Sequence, residues 1–357
     1  MLQEISRTHK ARRYAGVVLK ELGVYAVWLS GGTWRATRNR TERLEPAPDG
    51  SGFRCDWQWT SDLHAPKVIP ALGRWLMRRA LADHPIVLAN TTPTAAGQPQ
   101  ISFIIGHRGM ARLPHLLATL RSIAAQRDMT LECIVVEQDV VSQLRSHLPH
   151  WVRLVHTPPP AADMPYCRSW AFNIGVQHAR GRVLVLHDND MLVPQDYAAW
   201  IVQRVAQGYE VINPKRFIFY LTQAHSEAVF ADTDGLLDAP PEVIVQNLEG
   251  GGSVAITRAG YAQIGGMDES FIGWGGEDNE FWERAQTLHV WPWAGLPLVH
   301  LWHSAQPGKR DAAYQTAKHY RALAQIDPME RIRRLTEKKM GQMAGPAAWS
   351  KVEVELE

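Results

Sequence analysis

Cysteine is scarce in this chain: Cys55, Cys133 and Cys167 are scattered through 357 residues with no CxxC spacing. That argues against a disulfide framework or a thiolate zinc site and predicts a reduced, cytoplasmic setting. An excess of one charge is lacking too, because 38 Lys and Arg face 36 Asp and Glu for a formal +2. Without a bulk positive field, nucleic acid is not an expected partner. No apolar run reaches the roughly 20 residues of a membrane span, and the opening MLQEISRTHKARR has no apolar core of a signal peptide. Neither secretion nor insertion is expected. Peripheral contact with an anionic membrane has one candidate, the basic run RIRRLTEKKM from 331 to 340, but Glu330 and Glu337 make a solvated helix face the plainer expectation.

What the chain does have is pattern. From Ile101 onward, apolar strands alternate with helical segments, the signature of a parallel sheet covered by helices and hence of an α/β fold. ISFIIG, LECIVVEQD, WVRLVHT and GRVLVLHDND read as strands; LPHLLATLRSIAAQ and PYCRSWAFNIGVQHA read as helices. In such sheets ligands sit beyond the carboxyl ends of the strands, and there the sequence sets Arg108, Glu137, Asp139, Asp188 and Asp190.

The first ninety residues differ. YAGVVLKELGVYAVWLS, TWRATR and FRCDWQW read as short antiparallel strands between turn signals, KVIPALGRWLMRRALA as a helix, and NTTPTAAGQPQ as a linker. The expected organisation is a small N-terminal α+β module over 1–95, an α/β domain over 101–310, and a C-terminal helical extension and tail over 311–357.

Three motifs carry chemistry. HDND at 187–190 follows the apolar VLVL strand, and two carboxylates at a bend can share one site, one of them on a hard cation. VHLWHS sets His300 and His303 three apart, and a mixed Asp and His donor set with open positions suits Mn²⁺ better than a closed structural zinc site. FIGWGGEDNEFWERA places Trp274 among Gly273, Gly275 and Gly276, which favour a mobile loop, and starts a helix with Glu277, Asp278 and Glu280, where the macrodipole favours acids.

Taken in order, the DxD after a strand, the block GGGSVAITRAGYAQIGGMDESFIGWGGEDNEF and the downstream HxxHS resemble the beta-1,4-galactosyltransferases and related bacterial GT-A glycosyltransferases, including chondroitin-polymerase-type enzymes, over about residues 101 to 306. The resemblance implies the nucleotide-diphospho-sugar transferase fold. It implies a metal-dependent inverting transfer of a hexose or N-acetylhexosamine from a UDP-sugar to an acceptor hydroxyl. Position by position it implies Arg108, Arg168, Asp188, Gly251 and Gly252 at the donor, with Asn173 at the family's asparagine. Asp190 and His303 would hold Mn²⁺, with Mg²⁺ or Co²⁺ as substitutes. His300 falls where vertebrate members carry methionine. Trp274 would stack on the acceptor sugar, Asp278 would be the general base and Glu277 would orient the acceptor. The loop GHRG lacks the second arginine of the vertebrate pattern, and the family's disulfide cysteines are missing. The acceptor, whether a sugar, a lipid-linked sugar or a peptide, is not readable. Two other functions fit less of the sequence: a nucleotidyltransferase of related fold, and a glycan-binding protein with a degenerate transferase domain.

Overall fold

The computed structural model describes residues 7–39, 44–55, 60–93, 97–231, 239–246, 250–304 and 309–341. The chain begins with helices α1 (Arg7–Lys20) and α2 (Leu22–Leu29), short strands β1 (Phe53–Arg54) and β2 (Ser61–Asp62), and helices α3 (His64–Val68) and α4 (Pro70–Asp83). Then come β3 (Ile101–His107), α5 (Leu113–Ala124), β4 (Leu131–Glu137), β5 (Val152–His156), α6 (Arg168–His178), β6 (Val183–His187), β7 (Met191–Leu192) and α7 (Tyr197–Ala206). These are followed by β8 (Val211–Ile212), β9 (Lys215–Tyr220), α8 (Gln223–Phe230), β10 (Val243–Gln246), β11 (Ser253–Thr257), α9 (Arg258–Gln263) and α10 (Glu277–Ala285). The last elements are β12 (Val290–Trp291), β13 (Trp293–Ala294), β14 (Leu296–His300), α11 (Lys309–Leu323) and α12 (Pro328–Thr336).

The fold is α/β, as expected. Seven strands form the main sheet in the order β12-β8-β11-β6-β3-β4-β5, with β6, β3, β4 and β5 parallel and β11 antiparallel to β6. Strands β4 and β6 are buried along their whole length, which is why their centres read as the apolar runs CIVV and VLVL. Leu116, Leu120 and Ile123 of α5 and Tyr197 and Ile201 of α7 pack one core, while Phe172 of α6, Tyr261 of α9 and Phe281 of α10 pack the other. A second sheet, β2-β10-β9-β14-β7, lies beside the first. The chain passes from one sheet to the other between β6 and β7, and that crossing holds HDND.

The N-terminal expectation is corrected. YAGVVLKELGVYAVWLS forms α1 and α2 and not strands. Among its residues whose burial is described, the buried ones are Val17, Glu21 and Tyr25, four apart and so along one stripe. The acid in that stripe caps α3, accepting from the Ala65 amide at 2.9 Å and pairing with His64 Nδ1 at 2.8 Å. TWRATR makes a single 3₁₀ turn capped by Thr33, and FRCDWQW gives only β1, paired with β13; its residues 56–59 lie outside the described residues. Nor is this segment a separately packed α+β module. Val17, Tyr25, Leu76 and Met77 share one core with Phe217, Phe219 and Val299, and β2 is an edge of the second sheet. Residues 94–96 of the expected linker and 342–357 of the expected tail lie outside the described residues.

In α12, Arg333 pairs with Glu330 and Glu337, Arg334 with Glu330, and Arg331 is buried on Glu280 and Glu283. The basic run of the sequence is therefore largely neutralised within the protein. Trp282 and Trp291 are core residues. Among the described residues no helix is long and apolar enough to cross a membrane.

Candidate functional site

At the carboxyl ends of β3 and β6 a cavity of about 590 Å³ opens between the two sheets. His187, the last residue of β6, is fully buried and fixes the turn that follows: its Nε2 donates to the Met191 carbonyl at 3.0 Å and its Nδ1 meets Ser253 Oγ at 2.7 Å. Burial pushes its pKa down to about 4, so it acts as a neutral brace. The turn then belongs to both sheets. The Asp188 amide donates to the Gly252 carbonyl at 2.9 Å, and the Leu301 amide donates to the Asp190 carbonyl at 2.9 Å.

Asp190 is buried among cationic and imidazole groups. His303 Nε2 lies 3.3 Å from Asp190 Oδ2 and His300 Nε2 lies 3.7 Å from Oδ1. One ligand atom from each of the three lies within 4.8 Å of the others. His300 ends β14 and stacks on Tyr220 at 4.3 Å, while His303 lies in the irregular segment that follows. Arg112 Nη1 donates to Asp190 Oδ2 at 3.1 Å. Burial opposes the Asp190 charge, but the imidazoles of His300 and His303 and the Arg112 guanidinium hold its pKa below the ordinary value. His303 is lowered by burial and so is neutral near pH 7. Its Nδ1 donates to the Ser304 carbonyl at 3.0 Å, which leaves the Nε2 lone pair facing the carboxylate. A lone pair and a carboxylate at that separation fit a cation between them. The mixed oxygen and imidazole donors suit Mn²⁺ or Co²⁺ and, less well, Mg²⁺.

A second cluster gathers on Arg168, the first residue of α6. Its Nε donates to Asp188 Oδ1 at 2.7 Å, its Nη1 pairs with Asp278, and its guanidinium lies over the Phe172 ring. Burial opposes the arginine's charge, but Asp188 and Asp278 outweigh it and raise its pKa. Asp278 reaches the cavity because α10 begins at Gly276 in the left-handed region, φ 89°. Gly273 and Gly275 also have positive φ, which bends the chain about Trp274. Trp274 is half-exposed at the cavity mouth, its carbonyl held by Thr316 Oγ1 at 2.6 Å. Glu277 is buried and accepts from the Gly275 amide at 2.8 Å. Burial, with the Asp278 charge beside it, pushes its pKa up to about 7. Burial also raises Asp188, to about 6.

The cavity thus brings together Arg108, Arg168, Asp188, Asp190, Gly251, Gly252, Trp274, Glu277, Asp278, His300 and His303, whereas Glu137, which accepts from the Gln143 amide, and Asp139, which accepts from the Gly109 amide, are not among its lining residues. Arg108 lines it, with Nη1 on the Met164 carbonyl at 2.5 Å, and so do Gly251 and Gly252, the latter at φ 76°. Asn173 is not among the lining residues: it holds Met267, Glu269 and Tyr261 together from behind. Sequence reasoning missed Arg112, Tyr166, Tyr220 and Glu242, which also line the cavity. Arg112 had a signal. The loop read as lacking a second arginine supplies one four residues after Arg108, on a 3₁₀ turn.

Residues 246–290, which run from the end of β10 to β12, match the family model described as the N-terminal domain of galactosyltransferase. The match supports a glycosyltransferase. The matched span holds Gly251, Gly252, Trp274, Glu277 and Asp278, and it leaves out Asp190 and the two histidines. No curated protein matches the chain. Among solved structures, a mannosyltransferase from Pyrobaculum calidifontis in complex with GDP-Man and Mn²⁺ is similar at 16% identity, covering 79% of this chain and 75% of that one with a TM-score of 0.40. The catalytic domain of Drosophila beta1,4galactosyltransferase 7, in complex with xylobiose, is similar at 16% identity, covering 59% of this chain and 78% of that one with a TM-score of 0.32.

Proposed function

We propose that this chain is a metal-dependent inverting GT-A glycosyltransferase that moves a hexose or N-acetylhexosamine from a UDP-sugar to an acceptor hydroxyl. The observation that carries the reading is one cavity holding both a carboxylate-diimidazole cluster, Asp190 with His300 and His303, and a separate carboxylate, Asp278, at a glycine-hinged helix start. The galactosyltransferase match over 246–290 supports the same chemistry and is the ground for a UDP-sugar.

Sugar transfer from a nucleoside diphosphate develops negative charge on the departing diphosphate and positive charge at the anomeric carbon. A divalent cation held by Asp190, His300 and His303 would supply Lewis-acid stabilisation of the leaving diphosphate. Arg108 and Arg112 would add donors to phosphate oxygens or the nucleotide, as arginine forks do. The close backbone at Gly251 and Gly252 leaves room for the donor sugar, and Asp188 would bind a sugar hydroxyl. Asp278 would take the proton from the acceptor hydroxyl as it attacks, with Arg168 holding its carboxylate in place. One base and no enzyme nucleophile give inversion at the anomeric carbon. Trp274 would provide an apolar face for the acceptor sugar and Glu277 would orient it.

A panel of nucleotide sugars, tested for hydrolysis and thermal stabilisation with and without Mn²⁺, checks the reading. A UDP-sugar should raise the melting temperature only with the metal present. Stabilisation by no nucleotide sugar, or equal hydrolysis with and without metal, would overturn it.

A further inference from the structure

The charge balance of the whole chain hides a local excess. Residues 7–39 hold seven Lys and Arg against one Glu, a formal +6 in a chain whose total is +2. The one acid there, Glu21, is buried and committed to His64 and Ala65. Helix α1 has five of these cations and no acid. Through α3 it joins α4, which adds Arg74, Arg78 and Arg79 and has one acid, Asp83, bound to Trp34 Nε1. Arg12, Arg78 and Arg79 are exposed and form no ion pair among the described residues.

The same helices expose apolar side chains. Val17, Tyr25, Leu76 and Met77 face the core with the second sheet, while Leu19 is 83% exposed and Val27 61% exposed, with Tyr14 and Trp75 half-exposed. Helix α2 is apolar throughout, yet of its residues whose burial is described only Tyr25 is buried. Exposed aliphatic groups next to unpaired cations have no use for a nucleic-acid backbone, which the arginines alone would serve. They do match an anionic bilayer, where lipid headgroups take the cations and the acyl boundary takes leucine, valine and tryptophan.

We propose that the α1–α4 layer is a docking surface for an anionic lipid membrane. This surface is distinct from the run at 331–340, whose arginines are paired within the protein, and it does not depend on the transferase reading.

Co-sedimentation of the full chain with vesicles tests the proposal, using phosphatidylcholine alone and phosphatidylcholine mixed with phosphatidylglycerol. Binding to the mixed vesicles should exceed binding to the neutral ones by about tenfold or more and should weaken with salt. Arg78→Glu with Arg79→Glu, and separately Leu19→Glu with Val27→Glu, should each lower partition by about tenfold. Both variants should keep the parent's thermal unfolding, since these side chains are exposed, and the parent's activity on a soluble acceptor. The proposal is overturned if the parent ignores anionic vesicles or if both variants partition as the parent does. It is also overturned if the only polyanion bound is a nucleic acid, or if Leu19→Glu with Val27→Glu breaks a dimer of a chain that binds no vesicles.

Discussion

Two clusters of ionisable groups share the cavity and are tuned in opposite directions. Around Arg168 three carboxyl groups, Asp188, Glu277 and Asp278, crowd near a single guanidinium, and two of them are raised towards neutrality. Around Asp190 a single carboxylate sits among two imidazoles and Arg112 and is lowered. Like charges and burial resist full ionisation in the first cluster, while neighbouring nitrogen groups favour it in the second. A ligand carboxylate is useful when always charged, and groups that trade protons are useful when they titrate near the working pH. The ionisation of Asp188, Glu277 and Asp190 thus follows from their neighbours more than from their residue types.

The sharpest way to break the contrast is to remove its lowered member. Asp190→Ala, or His303→Ala, should bring metal-dependent turnover down to background, and turnover like the parent's in folded protein would dismiss the ligand assignment. Asp278→Asn probes the other cluster: donor affinity, read by calorimetry, should persist, while turnover falls by about 10²-fold or more. A parent-like rate would remove Asp278 as the base.

Glu277→Gln tests the raised carboxyl through stability. A carboxyl whose pKa rises from 4.5 in the unfolded chain to about 7 in the fold keeps its proton only when folded. Its contribution to stability therefore declines as pH climbs through that window and stays low above it. The amide cannot ionise and can still accept from Gly275, so the variant should match the parent near pH 4 and exceed it at pH 8 by at most about 3 kcal/mol. Denaturant midpoints at the two pH values decide, and a gap of the same size at both would refute the shift.

Smaller effects are expected at the edges. Trp274→Ala should raise the acceptor KM by about tenfold or less, since ring stacking contributes on the order of 1 kcal/mol beyond its area. Metal affinity should be unchanged, and an unaltered KM would take the ring out of the site. His300→Met replaces a borderline ligand with a softer one and should narrow metal use towards Mn²⁺ at the expense of Mg²⁺. Superimposable titrations of the two proteins for both ions would leave only Asp190 and His303 on the metal.

Legibility in the sequence tracked how local the cause was. The parallel strands were readable because β3, β4 and β6 are buried on both faces and so carry the apolar stretches FII, CIVV and VLVL. Helix α10 announced itself by glycines before it and acids in its first turn. Helices α1 and α2 were misread because their buried stripe contains Glu21, whose partner on α3 lies over forty residues on in sequence. Arg112 was overlooked for the same reason, as its partner Asp190 comes from a different strand end. Asp188, Asp190, Trp274, Glu277, Asp278, His300 and His303 were named through motifs, but the opposite tuning of the two clusters arises only when Arg168 of α6 meets Asp188 and Asp278 from later elements.

The crossing between the sheets has a kinetic side. Met191 pairs with His300, about a hundred positions apart, and the turn before Met191 is held by both ladders. Closing a loop that long is entropically costly, so these contacts belong late on the folding path, after each sheet has a nucleus of its own. An interaction absent from the transition state leaves the folding rate alone and slows unfolding. A ligand that spans Asp190 and His300 would thus act as a latch on a finished molecule, prolonging its folded lifetime without hastening its arrival.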